Sequence, residues 1–217
     1  ATRGVLLGRD TFSGGVIRPR TVDATLAALE GFRHVMDGFG VTEIRAVATS
    51  AVREARNGEL FLDLVRARSG IPFDIINEAE ESRLVFLAVR DALKRHAAMK
   101  AAWTLLAEVG GGSTSLTLLR HGQPLRSGLY ALGGVRLRQR LDLPRYGHDL
   151  QLALLKRAIA NVVEEIRLEI PLKRITHIVA VGGDVRLAAA QILEHATSAG
   201  PREIPREAFL AFCDELE

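Results

Sequence analysis

Glu108-Val109-Gly110-Gly111-Gly112-Ser113-Thr114 separates two apolar runs, Trp103-Thr104-Leu105-Leu106-Ala107 and Ser115-Leu116-Thr117-Leu118-Leu119. Both runs read as short β-strands. Three glycines between strands let the backbone turn tightly and leave consecutive N–H groups uncovered by side chains. Such a concave row of amides suits a phosphate, and Ser113 and Thr114 add hydroxyl donors beside it. The same residues also read as an ordinary hairpin turn.

Working outward, strands and helices alternate. Thr21 reads as the N-cap of a helix over 23–37, with Leu26, Leu29, Phe32 and Met36 on one face and a stop at Gly38 and Gly40. Residues 44–48 form a short strand. Asn57 caps a helix bearing Leu60, Phe61, Leu64 and Val65, which ends at Gly70-Ile71-Pro72. Phe73 to Ile76 make a further strand, and Asn77 opens a helix with Leu84, Val85, Ala88, Val89 and Leu93 inward. After a loop at 96–102, strands are expected at 103–108, 115–119 and 125–132. A helix over 149–166, a strand over 176–181, a Gly182-Gly183 turn into a helix over 185–197, and a last helix from Pro205 follow. Such alternation predicts α/β layers with mixed sheets flanked by helices. The expected organisation is an N-terminal domain over 1–97 and a C-terminal domain over 98–217. If the two are an internal duplication, the first lacks its opening hairpin and the chain reads as a fragment.

With 217 residues, 47% hydrophobic and 25% charged, the composition is that of an ordinary globular protein. No apolar run approaches the roughly 20 residues a membrane helix needs, so no membrane partner is expected. The net charge of +3 comes without a dense basic block interleaved with aromatics, which argues against nucleic acid. Cys213 is the single cysteine, so disulfides within the chain are impossible and a cytoplasmic setting is expected. Its apolar-periodic context predicts a buried structural thiol. The six histidines, His34, His96, His121, His148, His177 and His195, lack metal-ligand spacing and read as structural or exposed.

Several segments together resemble the exopolyphosphatase / guanosine pentaphosphate phosphohydrolase (Ppx/GppA) family of the actin and sugar-kinase-like ATPase superfamily. The segment from Ala46 to Asn57 is close to that family's wording, and Glu80-Glu81-Ser82-Arg83-Leu84 stands where the family has Glu-Glu-Ala-Arg-Leu. The run from Glu108 to Ser115 is similar to its Asp-Ile-Gly-Gly-Gly-Ser-Thr-Glu, and Leu132 to Leu137 to its Leu-Gly-Ala-Val-Arg-Leu. Gly182-Gly183 corresponds to its later glycine turn. The resemblance implies two ribonuclease-H-like domains with an active site in the cleft between them. It also implies removal of the terminal phosphate from polyphosphate or guanosine pentaphosphate with Mg²⁺ and water, and homodimers.

Glu81 then matches the carboxylate regarded as general base for the attacking water. On local grounds alone it reads as a structural helix-dipole residue, while Glu80 completes a capping box with Asn77. Glu108 stands at a metal-binding aspartate, its carboxylate displaced by roughly 1.5 Å, one bond length. Gly110, Gly111, Gly112, Ser113 and Thr114 keep the phosphate loop, and Arg53 matches an arginine near the polyphosphate path. Arg53 and Arg136 read equally as exposed charges, and Thr49 and Ser50 either donate to phosphate or begin a turn. Ser115 replaces an acidic residue, which weakens the expected grip on Mg²⁺. Ser115→Glu is expected to sharpen the Mg²⁺ dependence and speed turnover. Asp184 replaces a threonine and reads as a helix N-cap. The alternative activity is a catalytically impaired member that binds these anions as a sensor or regulator.

Overall fold

A computed structural model describes residues 2–193 and 200–216. The chain makes two compact units, Ala1–Glu81 with Leu132–Ile159, and Ser82–Ala131 with Ala160–Glu217. Each therefore takes two stretches of chain, where the sequence reading divides it in order at 97/98.

The first unit opens with α1 (Leu7–Gly14), which the sequence reading left unassigned. It is only eight residues long, begins after a left-handed Leu6 and ends at a left-handed Gly15. Helix α2 (Pro19–Gly38) starts earlier than expected, with Arg18 at the N-cap. Pro19 at the first helical position has a preset φ and no N–H to satisfy, so no side-chain cap is needed there. Thr21 is not the cap; its N–H joins the Arg18 carbonyl and the residue is buried. Strand β1 (Ala46–Ala48) pairs in parallel with β2 (Phe73–Ile75), Val47 opposite Asp74. Between them lie α3 (Ser50–Arg53) and α4 (Gly58–Ser69). Asn57 precedes α4 without capping it; its side chain accepts from the Ile17 N–H and donates to the Ile17 carbonyl, each at 2.9 Å. The core gathers Ile17, Leu26, Ala48, Val52, Phe61 and Val65. Leu60 and Leu64, expected inward, are exposed. Helix α7 (Gly134–Arg140), also unassigned on sequence, belongs to this unit because it packs on α1.

Helix α5 (Glu78–Leu93) begins in the first unit and continues into the second. Asn77 does cap it, accepting from the Glu80 N–H at 2.9 Å. The second unit adds α6 (Ala97–Lys100) and a four-stranded sheet of β3 (Thr104–Val109), β4 (Thr114–Arg120), β5 (Gln123–Tyr130) and β6 (His177–Val181). The strand order is β5-β4-β3-β6, the first three antiparallel and β6 parallel to β3. One face presents Leu106 and Leu119 to Phe86 of α5, with Val179 and Val181 beside them. Alternation along strands puts Glu108, Ser115 and Thr117 on that same face. Helix α8 (His148–Glu169) starts in the first unit and ends in the second, where Glu169 accepts from the Tyr130 hydroxyl at 3.0 Å. Burial and this hydrogen bond push the Tyr130 pKa up to about 12.

Helix α9 (Gly183–Ile192) follows β6, and α10 (Arg206–Glu215) follows Pro205. The expected end of the 185–197 helix beyond 193, and His195, lie outside the described residues. Cys213 is half-buried rather than buried, because α10 presents no fully covered face.

Candidate active site

The glycine run closes the β3–β4 hairpin. The Gly110 N–H donates to the Ser113 carbonyl at 2.9 Å, and the ladder resumes with Val109 opposite Thr114 and Glu108 opposite Ser115. A Cβ on Gly110 would sit 3.3 Å from that carbonyl, so the bend favours a residue with no side chain. Gly111 is exposed at the tip and Gly112 half-buried, while Ser113, Thr114 and Ser115 are buried. The two readings of this stretch thus share one geometry: it is a hairpin turn, and its tip presents backbone to solvent.

Gly182 has φ +134°, and a Cβ there would stand 2.8 Å from the Val109 carbonyl, just before the loop. Close approach to β3 therefore demands this glycine. It is also the N-cap of α9, so Asp184 sits inside the first turn and is not the cap.

In the first unit, Arg53 closes α3 and reaches the start of α5. One guanidinium nitrogen, Nη1, donates to the Ile76 carbonyl at 2.8 Å and to Glu81 Oε2 at 3.0 Å. Their side chains are 19% and 13% exposed, so neither is a solvated surface charge. Glu81 thus has a fixed orientation, which its place in the first turn of α5 does not by itself provide. Glu80 instead lies 3.7 Å from Arg45 on the exposed side. Thr49 and Ser50 begin α3, with Thr49 at its N-cap and Ser50 buried.

Arg136 is not an exposed charge. Its side chain is 4% exposed, pairs through both terminal nitrogens with the Glu54 carboxylate, and lies over the Phe12 ring at 4.1 Å. The bidentate hydrogen bond holds the Glu54 carboxyl below its ordinary range. This buried cluster ties α1, α3 and α7 together and leaves the guanidinium committed to structure. Sequence reading missed the partner because the two residues are 82 positions apart.

Ser115 Oγ lies 3.0 Å from Ser82 Oγ, both buried. The position opposite Glu108 therefore offers a hydroxyl already engaged by α5. Among the described residues no three His, Cys, Asp or Glu side chains group into a metal site. Glu108, half-buried on the α5 face of the sheet, remains as one hard oxygen donor. One carboxylate suits Mg²⁺ that keeps several waters and is held largely by phosphate oxygens. No helix among the described residues is long and apolar enough to cross a membrane.

Comparison with known proteins bears on this arrangement. The model of the Ppx/GppA phosphatase family matches residues 1–217. Exopolyphosphatase 1 of Mycobacterium tuberculosis is 36% identical over 111 residues, which make up 51% of this chain and 31% of that relative. The match thus spans less than a third of that relative's length. A solved exopolyphosphatase-like protein has a TM-score of 0.83 at 24% identity, covering 98% of this chain and 67% of that one. The Aquifex aeolicus member of the Ppx/GppA family has a TM-score of 0.66 at 25% identity, covering 90% and 61%. With a family match along its whole length and an α/β architecture shared with these structures, the chain belongs to the Ppx/GppA phosphatase family and has its actin-like ATPase type of fold.

Proposed function

We propose that this protein removes the terminal phosphate of inorganic polyphosphate or guanosine pentaphosphate by attack of water. The observation that carries the reading is the Arg53–Glu81 pair, a carboxylate oriented by a guanidinium at the family's general-base position. In this reading Glu81 takes the proton of the attacking water, a role that requires a positioned acceptor within hydrogen-bond reach. In this reading Gly110, whose own N–H closes the bend onto the Ser113 carbonyl, shapes the loop, and Gly111, Gly112, Ser113 and Thr114 offer backbone and hydroxyl donors to phosphate oxygens. Arg53 serves phosphate binding through its position beside Glu81. Glu108 would hold Mg²⁺, with water and substrate phosphates completing the shell. When bound, that ion offsets phosphate charge and polarises the phosphorus centre. The working assembly in this reading is a homodimer, which sedimentation of the full-length protein measures.

A second reading is favoured by Ser115. A neutral hydroxyl, buried and bonded to Ser82, stands where an acid would strengthen Mg²⁺ binding. A protein so built would bind the anion and turn it over slowly or not at all, as a sensor.

Phosphate release by the full-length protein from polyphosphate and from guanosine pentaphosphate, with and without Mg²⁺, separates the two. Under the hydrolytic reading wild type releases phosphate, Glu81→Gln does not, and both bind the anion. Binding by wild type without release favours the sensor. Gly111→Val should fold, since the position is exposed, and bind the anion more weakly by crowding the amides.

A further inference from the structure

The face of the four-stranded sheet covered by α5 is apolar at its middle, where Phe86 meets Leu106 and Leu119. Toward the phosphate loop it becomes polar. One helical turn before Phe86, Ser82 points at the same face, and its hydroxyl meets that of Ser115, the second residue of β4. The side chains are out of water, with Ser82 3% and Ser115 4% exposed. Two hydroxyls in such a place hold each other, because a buried hydroxyl that loses its partner keeps the desolvation penalty.

Ser82 directly follows Glu81 in α5. We infer that the Ser82–Ser115 hydrogen bond is a positioning device that pins α5 at Ser82 to β4 and, through the continuity of the helix, steadies the backbone of the preceding residue, Glu81. It rests on the hydrolytic reading above only for its catalytic consequence. Ser82 and Ser115 touch neither substrate nor metal in this account; they act through Glu81. The expectation for Ser115→Glu consequently reverses. A carboxylate there displaces the hydroxyl pair, so turnover falls rather than rises, and Ser82→Ala in the same chain recovers part of the loss by making room.

The test is a double-mutant cycle in the full-length protein with Ser82→Ala, Ser115→Ala and both together, plus Ser82→Thr, which keeps the hydroxyl. Two readouts are taken: amide hydrogen exchange at Glu81 and Ser82, and kcat and KM for phosphate release. Each alanine variant should exchange about fivefold faster at these amides, the equilibrium factor of one ordinary hydrogen bond. Each should lose roughly tenfold in kcat with KM within about twofold, as expected for displacement of a catalytic group. The double variant should be no worse than the worse single, and Ser82→Thr should restore most of both. Additive losses, unchanged exchange, or an effect confined to KM overturns the proposal. If wild type releases no phosphate, the hydrolytic reading fails with the catalytic consequence, and the exchange data alone decide whether the tie exists.

Discussion

At the scale of single residues, the Arg136–Glu54 pair is unequal in a way that predicts an unequal response to mutation. The arginine side chain is 4% exposed and the glutamate 41%. Glu54→Ala takes the bidentate carboxylate away from a buried guanidinium, which costs about 3 kcal/mol, the low end for a buried pair because Glu54 is partly solvated. Arg136→Met leaves a carboxylate that water can reach and an apolar stem over Phe12, so the loss is about 1–3 kcal/mol. Urea unfolding of the two variants should rank them in that order; equal losses would contradict the burial argument. The pair also has a pH signature. Glu54 is held below its ordinary range chiefly by the Arg136 hydrogen bond. Its contribution is therefore fully present above the unfolded carboxylate pKa and is lost as pH falls through the lower folded one. Thermal unfolding from pH 7 downward should fall more steeply in acid for wild type than for Arg136→Met. The difference is modest because Glu54 is partly solvated.

Elements show which patterns a sequence carries openly. Strands β3, β4 and β6 are legible because they are apolar runs bounded by glycine, and α8 because its period is long and unbroken. Helices α1 and α7 are not, being eight and seven residues with glycine at or near their ends. Their stability comes from each other and from the buried Arg136, a partner no local window contains. Faces are harder still: in α4, Phe61 and Val65 turn inward while Leu60 and Leu64 face water, although a leucine scores the same on either side. Of the candidate site, the glycine loop was visible as composition, whereas the Arg53–Glu81 and Ser82–Ser115 contacts join residues 28 and 33 positions apart. At the β6–α9 turn, Gly182→Ala would force a non-glycine φ of +134° and a methyl against the Val109 carbonyl. A loss of roughly 2–4 kcal/mol is expected in equilibrium unfolding, combining backbone strain and displacement of β3.

For the whole molecule, the charge balance constrains how anions are held. A net charge of +3 provides little long-range attraction. Of the two arginines in the family-like segments, Arg136 is committed to Glu54, and Arg53, proposed to serve phosphate, already shares its charge with Glu81. In the proposed function, much of the grip on a polyphosphate chain then falls to short-range amide and hydroxyl donors, which salt screens weakly. Affinity for polyphosphate should fall less than about tenfold as ionic strength rises tenfold from roughly 0.05 M, a range over which the screening length shrinks severalfold. A steeper decline would point to clustered free cations elsewhere on the surface. The discontinuous make-up of each unit was beyond sequence reading for the same reason as α7: residues 132–159 return to the first unit through packing, and nothing in their composition announces it.

The bond from Arg53 to Glu81 engages Oε2 of that carboxylate; in the proposed reaction Oε1 is then the atom that receives the proton. An amide at 81 would turn its carbonyl oxygen toward the guanidinium and present its NH₂ where the lone pair had been. Glutamine at this position therefore exchanges an acceptor for a donor, so an approaching solvent molecule would be met with reversed polarity rather than merely diminished charge.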